Sequence, residues 1–276
     1  MTKIPSTVEW VNLQTESRSD DAQSETVCKK MLRSIKGVIF DFDGTLFDST
    51  GIAFYLIAAY LPDIFLVRRE RLIRNRFSGC DFLTTEKYFE SFFKEMSVCF
   101  GRQSEKLKSW YFNRYMPRMV RVLKKHFKPR PGLKELIKLM DSPKSAVKTA
   151  IYSDYSFLKE RMESLGLDTS GHIRLYGPES FGAQKPAVRP FLQIAKDLSL
   201  APEEILVIGD REQTDGLGAF RAGMHFFCLE TGRKRYFKLD PNRRRPNEKP
   251  RGPSLLMYAG AWDDICNLLI KEKFQK

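Results

Sequence analysis

Short apolar runs that end in acids, glycine or serine constrain this chain more than any other feature. Gly37-Val-Ile-Phe40 runs straight into Asp41-Phe-Asp-Gly-Thr45. Three similar runs come much later, at Thr149–Ser153, Ile205–Asp210 and His225–Leu229, and a weaker one at Ile173–Tyr176. Continuous rather than alternating apolar character predicts strands covered on both faces, as in a parallel sheet. Between them lie amphipathic stretches of helical length, Gly132–Met140, Phe157–Leu165, Val188–Leu198 and Thr214–Ala222, the last closed by Gly223. Strands alternating with such helices predict right-handed βαβ units and an α/β fold, a Rossmann-like, mainly parallel sheet. Ligands in such sheets lie beyond the carboxyl ends of the strands, where the acids of this chain collect.

One stretch breaks the alternation. Residues 50–128 lack strand-like runs, are rich in Phe, Tyr, Arg and Lys, and show helical periodicity at Tyr88–Met96 and Tyr111–Phe127. This predicts an all-helical domain inserted after the first strand, so that residues 35–49 and 129–276 form one core and 50–128 a second unit. Residues 1–34 read as a polar arm with a short helix over 24–34. Arg233–Arg251 reads as an exposed basic loop, Leu255–Gly260 as an edge strand and Trp262–Lys271 as a closing helix.

The net charge of +13 is unevenly placed. Residues 51–130 carry 17 basic and 7 acidic side chains, and 231–251 carry 9 and 2, leaving the rest of the chain mildly acidic. Such regions suit an anionic substrate, although basic faces are commonly just solvated. No apolar run reaches the roughly 20 residues of a membrane span, so no membrane partner is expected. Five scattered cysteines without metal or CxxC spacing predict a reduced, cytoplasmic setting.

Four signals carry chemistry. Asp41 and Asp43, two residues apart on extended backbone, point the same way, so one can attack while the other handles protons and a hard cation sits between. Gly44 lets the chain turn and present N–H groups to an anion, with Phe42 and Thr45 in the same loop. Ser153 offers a hydroxyl to a phosphoryl oxygen, and Asp154 follows it. Lys185, before a helix, can neutralise a nucleophile and a transferring phosphoryl group. Asp210 and Asp215 follow a strand and can complete an octahedral cation site. Taken singly, each has an ordinary alternative: an Asp-Gly turn, a strand-ending serine, a surface lysine, a helix N-cap.

Taken in order, Asp-x-Asp-Gly-Thr, Ser, Lys-Pro and Gly-Asp-x-x-x-x-Asp resemble the haloacid dehalogenase (HAD) superfamily over about 37–50 and 129–230. The resemblance implies Asp41 as a nucleophile forming an aspartyl-phosphate and Asp43 as general acid/base that also lends its carbonyl to Mg²⁺. It implies Ser153 and Lys185 as the phosphoryl-binding pair, Asp210 and Asp215 as the acids of the metal site, and 50–128 as a C1 cap like that of phosphoglycolate phosphatases. Gln184, Val188 and Asp154 depart from that subgroup's usual Gly, Pro and Asn. The expected activity is Mg²⁺-dependent hydrolysis of a small phosphorylated metabolite. A phosphomutase, a dehalogenase or a polyanion-binding protein on the same scaffold are the rivals; nucleic acid is not the expected partner, though the basic segments leave it open. The polar break Arg74–Cys80 is expected to be a loop over the site, with Arg74 and Arg76 as substrate ligands.

Overall fold

The computed structural model describes residues 8–12, 32–167, 171–230 and 255–275. Seven strands form one all-parallel sheet: β1 (Val8–Asn12), β2 (Gly37–Phe40), β3 (Lys148–Tyr152), β4 (Arg174–Tyr176), β5 (Ile205–Gly209), β6 (His225–Leu229) and β7 (Leu255–Gly260), in the order β1-β7-β6-β5-β2-β3-β4. The helices are α1 (Ile52–Ala59), α2 (Ile64–Arg76), α3 (Thr85–Phe100), α4 (Ser104–Trp110), α5 (Met116–His126), α6 (Leu133–Met140), α7 (Leu158–Ser164), α8 (Pro178–Phe181), α9 (Val188–Asp197), α10 (Leu217–Ala222) and α11 (Trp262–Phe274).

The strand residues show why the run at 37–40 has no polar gap. Side chains alternate across the sheet, and both faces are covered. Val38, Phe40, Ile151, Leu206 and Ile208 enter one buried cluster with α6, α7 and α11. Ile39, Ala150, Tyr152 and Val207 enter the other with Phe191 and Ile194 of α9. Moving one such aromatic ring from water into that cluster is worth about 2–3 kcal/mol.

Register aligns the chemistry. Phe40 lies opposite Ile151 of β3 on one side and Ile208 of β5 on the other. Asp41, Ser153 and Gly209-Asp210 therefore leave three adjacent strands at the same edge, and Asp41 is tied there by its N–H to the Ile208 carbonyl (2.8 Å). The chain crosses from β2 to β3 on one side and returns to β5 on the other, which opens a crevice above β2.

The sequence reading of 1–34 as a polar arm is corrected at one point: residues 8–12 form the outermost strand, parallel to β7, which is consequently not an edge strand. Residues 32–34 are helical; the rest of the helix expected over 24–34, and the loop expected over 233–251, lie outside the described residues.

Residues 52–126 hold helices α1 to α5, with a buried cluster of their own that includes Tyr60, Ile73, Tyr88, Phe92, Met96, Tyr111 and Tyr115. The aromatics are therefore interior: Tyr88, Phe92, Phe93 and Tyr111 meet edge-on or stacked at ring-centroid distances of 5.4–6.0 Å. Thr84 caps α3 by accepting from Lys87 N, and Gly101 ends it in left-handed geometry.

The helical unit touches the core by more than its two chain connections. Residues 78–85 run along 179–189. Gly79 N donates to Lys185 O (3.1 Å), Phe82 N to Gly182 O (3.0 Å) and Gln184 N to Cys80 O (3.1 Å). Arg189 grips both oxygens of Asp81 at 2.7 and 2.6 Å. Gly182 makes the approach possible: its φ is +60°, and a Cβ there would lie 2.0 Å from the Thr84 carbonyl oxygen.

Candidate active site

Asp41 stands at the centre of the crevice. Its Oδ1 accepts from Lys185 Nζ at 2.5 Å and its Oδ2 from the Thr45 hydroxyl at 3.1 Å. Lys185 Nζ also donates to Asp215 Oδ1 at 2.7 Å, and all three groups are almost wholly buried. Burial alone would lower the Lys185 pKa, but Asp215 and then Asp41 more than reverse this and hold it above its ordinary value. The lysine is thus a permanent cation beside Asp41.

Asp210 completes the cluster. One carboxylate oxygen from each of Asp41, Asp210 and Asp215 lies within 4.8 Å of the others. Burial, reinforced by repulsion from Asp41 and Asp215, pushes Asp210 up to about 8. Burial likewise pushes Asp215 up to about 6 against the attraction of Lys185. Asp210 Oδ1 and Asp215 Oδ2 are buried without hydrogen-bond partners. Three clustered carboxylates, two of them on Lys185 and the third 3.9 Å from Arg211, with two oxygens lacking hydrogen bonds, could hold a hard divalent cation. Gly44 is cut to the same purpose: with φ +85°, a Cβ on it would sit 2.3 Å from Asp210 Oδ2.

Asp43 faces away from this cluster. Its Oδ1 pairs with Arg161 Nη2 and its Oδ2 accepts from Ser153 Oγ at 3.3 Å. Ser153 Oγ in turn accepts from Arg161 Nη1 (3.0 Å) and Tyr155 N (3.1 Å). Phe42 contributes its ring, over which the Arg161 guanidinium lies at 4.3 Å.

Other expected residues serve the scaffold. Asp154 Oδ1 accepts from Lys185 N (3.0 Å) and fixes the loop carrying the lysine; burial raises its pKa. Arg74 and Arg76 correct the expected loop, since both lie in the last turn of α2. Arg74 is turned inward, paired with the fully buried Glu70, and donates to Tyr111 Oη (3.2 Å) and to the Asp154 carbonyl (2.5 Å). Arg76, with a side chain 63% exposed, reaches only Glu95 at 4.0 Å. A helix face explains the split: positions 70, 73, 74 and 77 point inward and 76 does not.

Sequence reasoning missed three residues. Arg161 carries a visible signal, because Leu158, Arg161, Met162 and Leu165 share one helical face and an arginine among apolar positions needs an acid. Arg130, between two prolines, donates to the carbonyls of Thr45 and Gly44 at 2.8 Å each and steadies the loop after Asp41 from outside. Gln184 stands inside the cleft between the two units; its amide accepts from Tyr88 Oη (2.7 Å) and Arg74 Nη1 (3.0 Å) and donates to the Arg74 carbonyl (2.8 Å).

Known proteins match this arrangement. A family model for hydrolases, described as haloacid dehalogenase-like hydrolase, matches residues 35–223. A 2-haloacid dehalogenase of Pseudomonas syringae pv. Tomato DC3000 shares the fold with a TM-score of 0.55 at 18% identity, covering 86% of this chain and 99% of its own. A candidate beta-phosphoglucomutase of Thermotoga maritima gives 0.51 at 17% identity over 86% and 99%. A candidate HAD-hydrolase of Bacillus subtilis, bound to magnesium, gives 0.51 at 16% identity over 85% and 98%. No curated protein matches the chain. Among the described residues no helix is long and apolar enough to cross a membrane. With the match spanning more than half of the chain, from the strand that leads into Asp41 to the helix after Asp215, the chain belongs to the haloacid dehalogenase-like hydrolases.

Proposed function

We propose that this protein is a Mg²⁺-dependent phosphatase of small phosphomonoesters, working through an aspartyl-phosphate on Asp41, with residues 50–128 as its cap. The observation that carries the reading is the buried Lys185 bridge between Asp41 and Asp215 beside an under-partnered Asp210. A lysine so placed holds one Asp41 oxygen at 2.5 Å and supplies a fixed positive charge beside the proposed nucleophile. Asp41, Asp210 and Asp215 would hold Mg²⁺, whose contribution is to neutralise the negative charge of the phosphoryl group as it transfers.

In the first step, which begins once Asp43 has taken a proton from solvent, an Asp41 oxygen forms a bond to phosphorus, the ester P–O bond breaks, and the leaving oxygen takes that proton from Asp43. In the second, Asp43 takes a proton from water, the hydroxide attacks phosphorus, and the Asp41–phosphorus bond breaks to release phosphate. Asp43 ends as it began. Lys185 remains a cation throughout, so the charge developing on the equatorial oxygens meets a fixed donor rather than reorganising solvent. The Thr45 hydroxyl and the Ser153 hydroxyl orient the two carboxylates that exchange bonds and protons.

Phosphate ester chemistry is favoured over dehalogenation because a halide leaves without a proton, whereas Asp43 is placed as a second acid with its own buried support. The setting we propose is cytoplasmic, in keeping with the free thiols of Cys80, Cys99, Cys228 and Cys266. The test is hydrolysis of p-nitrophenyl phosphate with Mg²⁺, with EDTA, and by Asp41→Asn. Activity that needs Mg²⁺ and disappears with Asp41→Asn is expected; substantial turnover by a verified Asp41→Asn sample would overturn the mechanism.

A further inference from the structure

Arg161 is a buried cation that the two-carboxylate mechanism does not call for. It lies on α7, its side chain is fully buried, and its one ion pair among the described residues is with Asp43. A buried arginine is costly unless its charge and its donors are met; here Asp43 meets the charge and both terminal nitrogens are bonded while Nε has no partner, and that cost points to a role at the carboxylate it pairs with.

The hydrogen bonds around it leave little freedom. A serine hydroxyl has two acceptor sites and one proton. Both acceptor sites of Ser153 Oγ are occupied, by Arg161 Nη1 and Tyr155 N, so its proton has one direction left, toward Asp43 Oδ2. Arg161 Nη2 meanwhile takes Asp43 Oδ1. One guanidinium therefore fixes both ends of the Ser153–Asp43 bond. The plate is itself immobile: it lies 4.3 Å over the Phe42 ring and 5.6 Å from that of Tyr155, and Nη1 also reaches the Tyr155 carbonyl at 3.5 Å. Phe42 sits between the two acids in sequence, so the ring supporting the guanidinium is anchored to the same loop that Arg161 steadies.

We infer that Arg161 is a positioning residue for proton transfer, which commits one oxygen of Asp43 to itself and leaves the other, Oδ2, to exchange the proton. This rests on the phosphatase reading above. When a phosphoryl oxygen claims the Ser153 proton, Oδ2 loses its present partner, takes up a proton from the solvent that reaches Asp43, and turns with it toward the leaving group, while Oδ1 stays on the arginine. Rotation of the carboxylate is then the only movement required, and Arg161 is its pivot. Lysine at this position keeps the charge but has no planar fork, so it restores the tether to Asp43 without also holding Ser153.

The experiment compares kcat/KM for phenyl phosphate and p-nitrophenyl phosphate in the full-length wild type, Arg161→Met and Arg161→Lys, with folding checked by circular dichroism. Phenolate is the poorer leaving group and depends more on a placed proton. Arg161→Met is expected to lose about 10- to 100-fold on phenyl phosphate, a part of the 10²–10⁴ typical of acid–base help, and only a few-fold on p-nitrophenyl phosphate. Arg161→Lys should recover part of the loss. In an Asp43→Asn background, adding Arg161→Met should cost less than about threefold, because the route through Asp43 is already gone. Equal losses on both esters, or a full further loss in the Asp43→Asn background, would overturn the inference. If the wild type turns over neither ester, the phosphatase reading falls, and a crystal structure of Arg161→Met decides the positioning claim alone. There the Asp43 carboxylate should have left Ser153 Oγ; an unmoved carboxylate overturns it.

Discussion

With no cation bound, this protein should lose stability as pH rises, and Asp210 should be the main cause. In the folded chain burial and the neighbouring acids lift Asp210 from 3.8 to about 8. A carboxyl whose folded pKa is raised binds its proton more tightly in the native state than in the unfolded chain. Its contribution is therefore whole below pH 4 and is lost as pH climbs through the folded value. At pH 7 the unfolded chain has released that proton and the folded protein still holds it, which costs about 4 kcal/mol relative to pH 3. For a chain of this length each kcal/mol corresponds to roughly 2–4 °C in Tm, so the fall is about 10 °C between acid and neutral pH. Asp215, lifted to about 6, adds to the early part of the decline.

The assay is thermal unfolding followed by circular dichroism in EDTA from pH 4.5 to 8.5, with Mg²⁺ and with Asp210→Asn in parallel. Tm in EDTA should drop with pH. Mg²⁺ at a hundredfold excess over its dissociation constant should restore about 2.7 kcal/mol. Asp210→Asn, unable to ionise, should be the more stable protein in EDTA at pH 8 and should gain least from Mg²⁺. A flat Tm across this range, or an Asp210→Asn protein less stable than wild type in EDTA at pH 8, would refute the reasoning.

Three shorter predictions follow. Asp43→Asn should fold normally and lose about 10²–10⁴-fold in kcat at saturating Mg²⁺, without the raised Mg²⁺ requirement expected of Asp210→Asn; steady-state kinetics against a Mg²⁺ titration separates the two. Arg74→Met should destabilise the protein by about 3–5 kcal/mol, because it strands Glu70 in the interior, whereas Arg76→Ala should stay within about 0.5 kcal/mol; urea unfolding reads both. Gly182→Ala should cost at least about 2 kcal/mol and loosen the contact between residues 78–85 and the Lys185 loop, which limited proteolysis within 78–85 would report.

What the sequence made legible follows from how local each cause is. Val38-Ile-Phe40 and Ile205–Ile208 are apolar without gap because both sheet faces are covered, and that pattern needs no partner to be read. Asp41, Asp43, Ser153, Lys185, Asp210 and Asp215 each follow a strand or precede a helix, so the parallel order carries them to one edge. β1 was illegible because Val8–Asn12 is a strand only by virtue of pairing with β7, more than 240 residues away. Arg74 misled for a related reason. Its polar surroundings Arg74–Ser78 read as a loop, yet Glu70 one turn earlier and the hydroxyls of Tyr88 and Tyr111 supply the partners that let an arginine end a helix facing inward.

The same arginine joins the two units in a way that bears on catalysis. Arg74 Nη1 reaches the Asp154 carbonyl, Asp154 Oδ1 holds Lys185 N, and the Gln184 amide beside that lysine returns to Arg74 and Tyr88. The lysine that neutralises Asp41 is thus held by a loop whose hydrogen bonds run partly to the helical unit, through Gly79 and Ser78 on the Lys185 carbonyl as well. Displacing the helical unit would have to break these bonds next to Asp41, each a buried group costing about 1–3 kcal/mol to leave unmet. Beside them Asp43 and Arg211 are the more exposed groups, their side chains 28% and 52% exposed against 2% for Lys185.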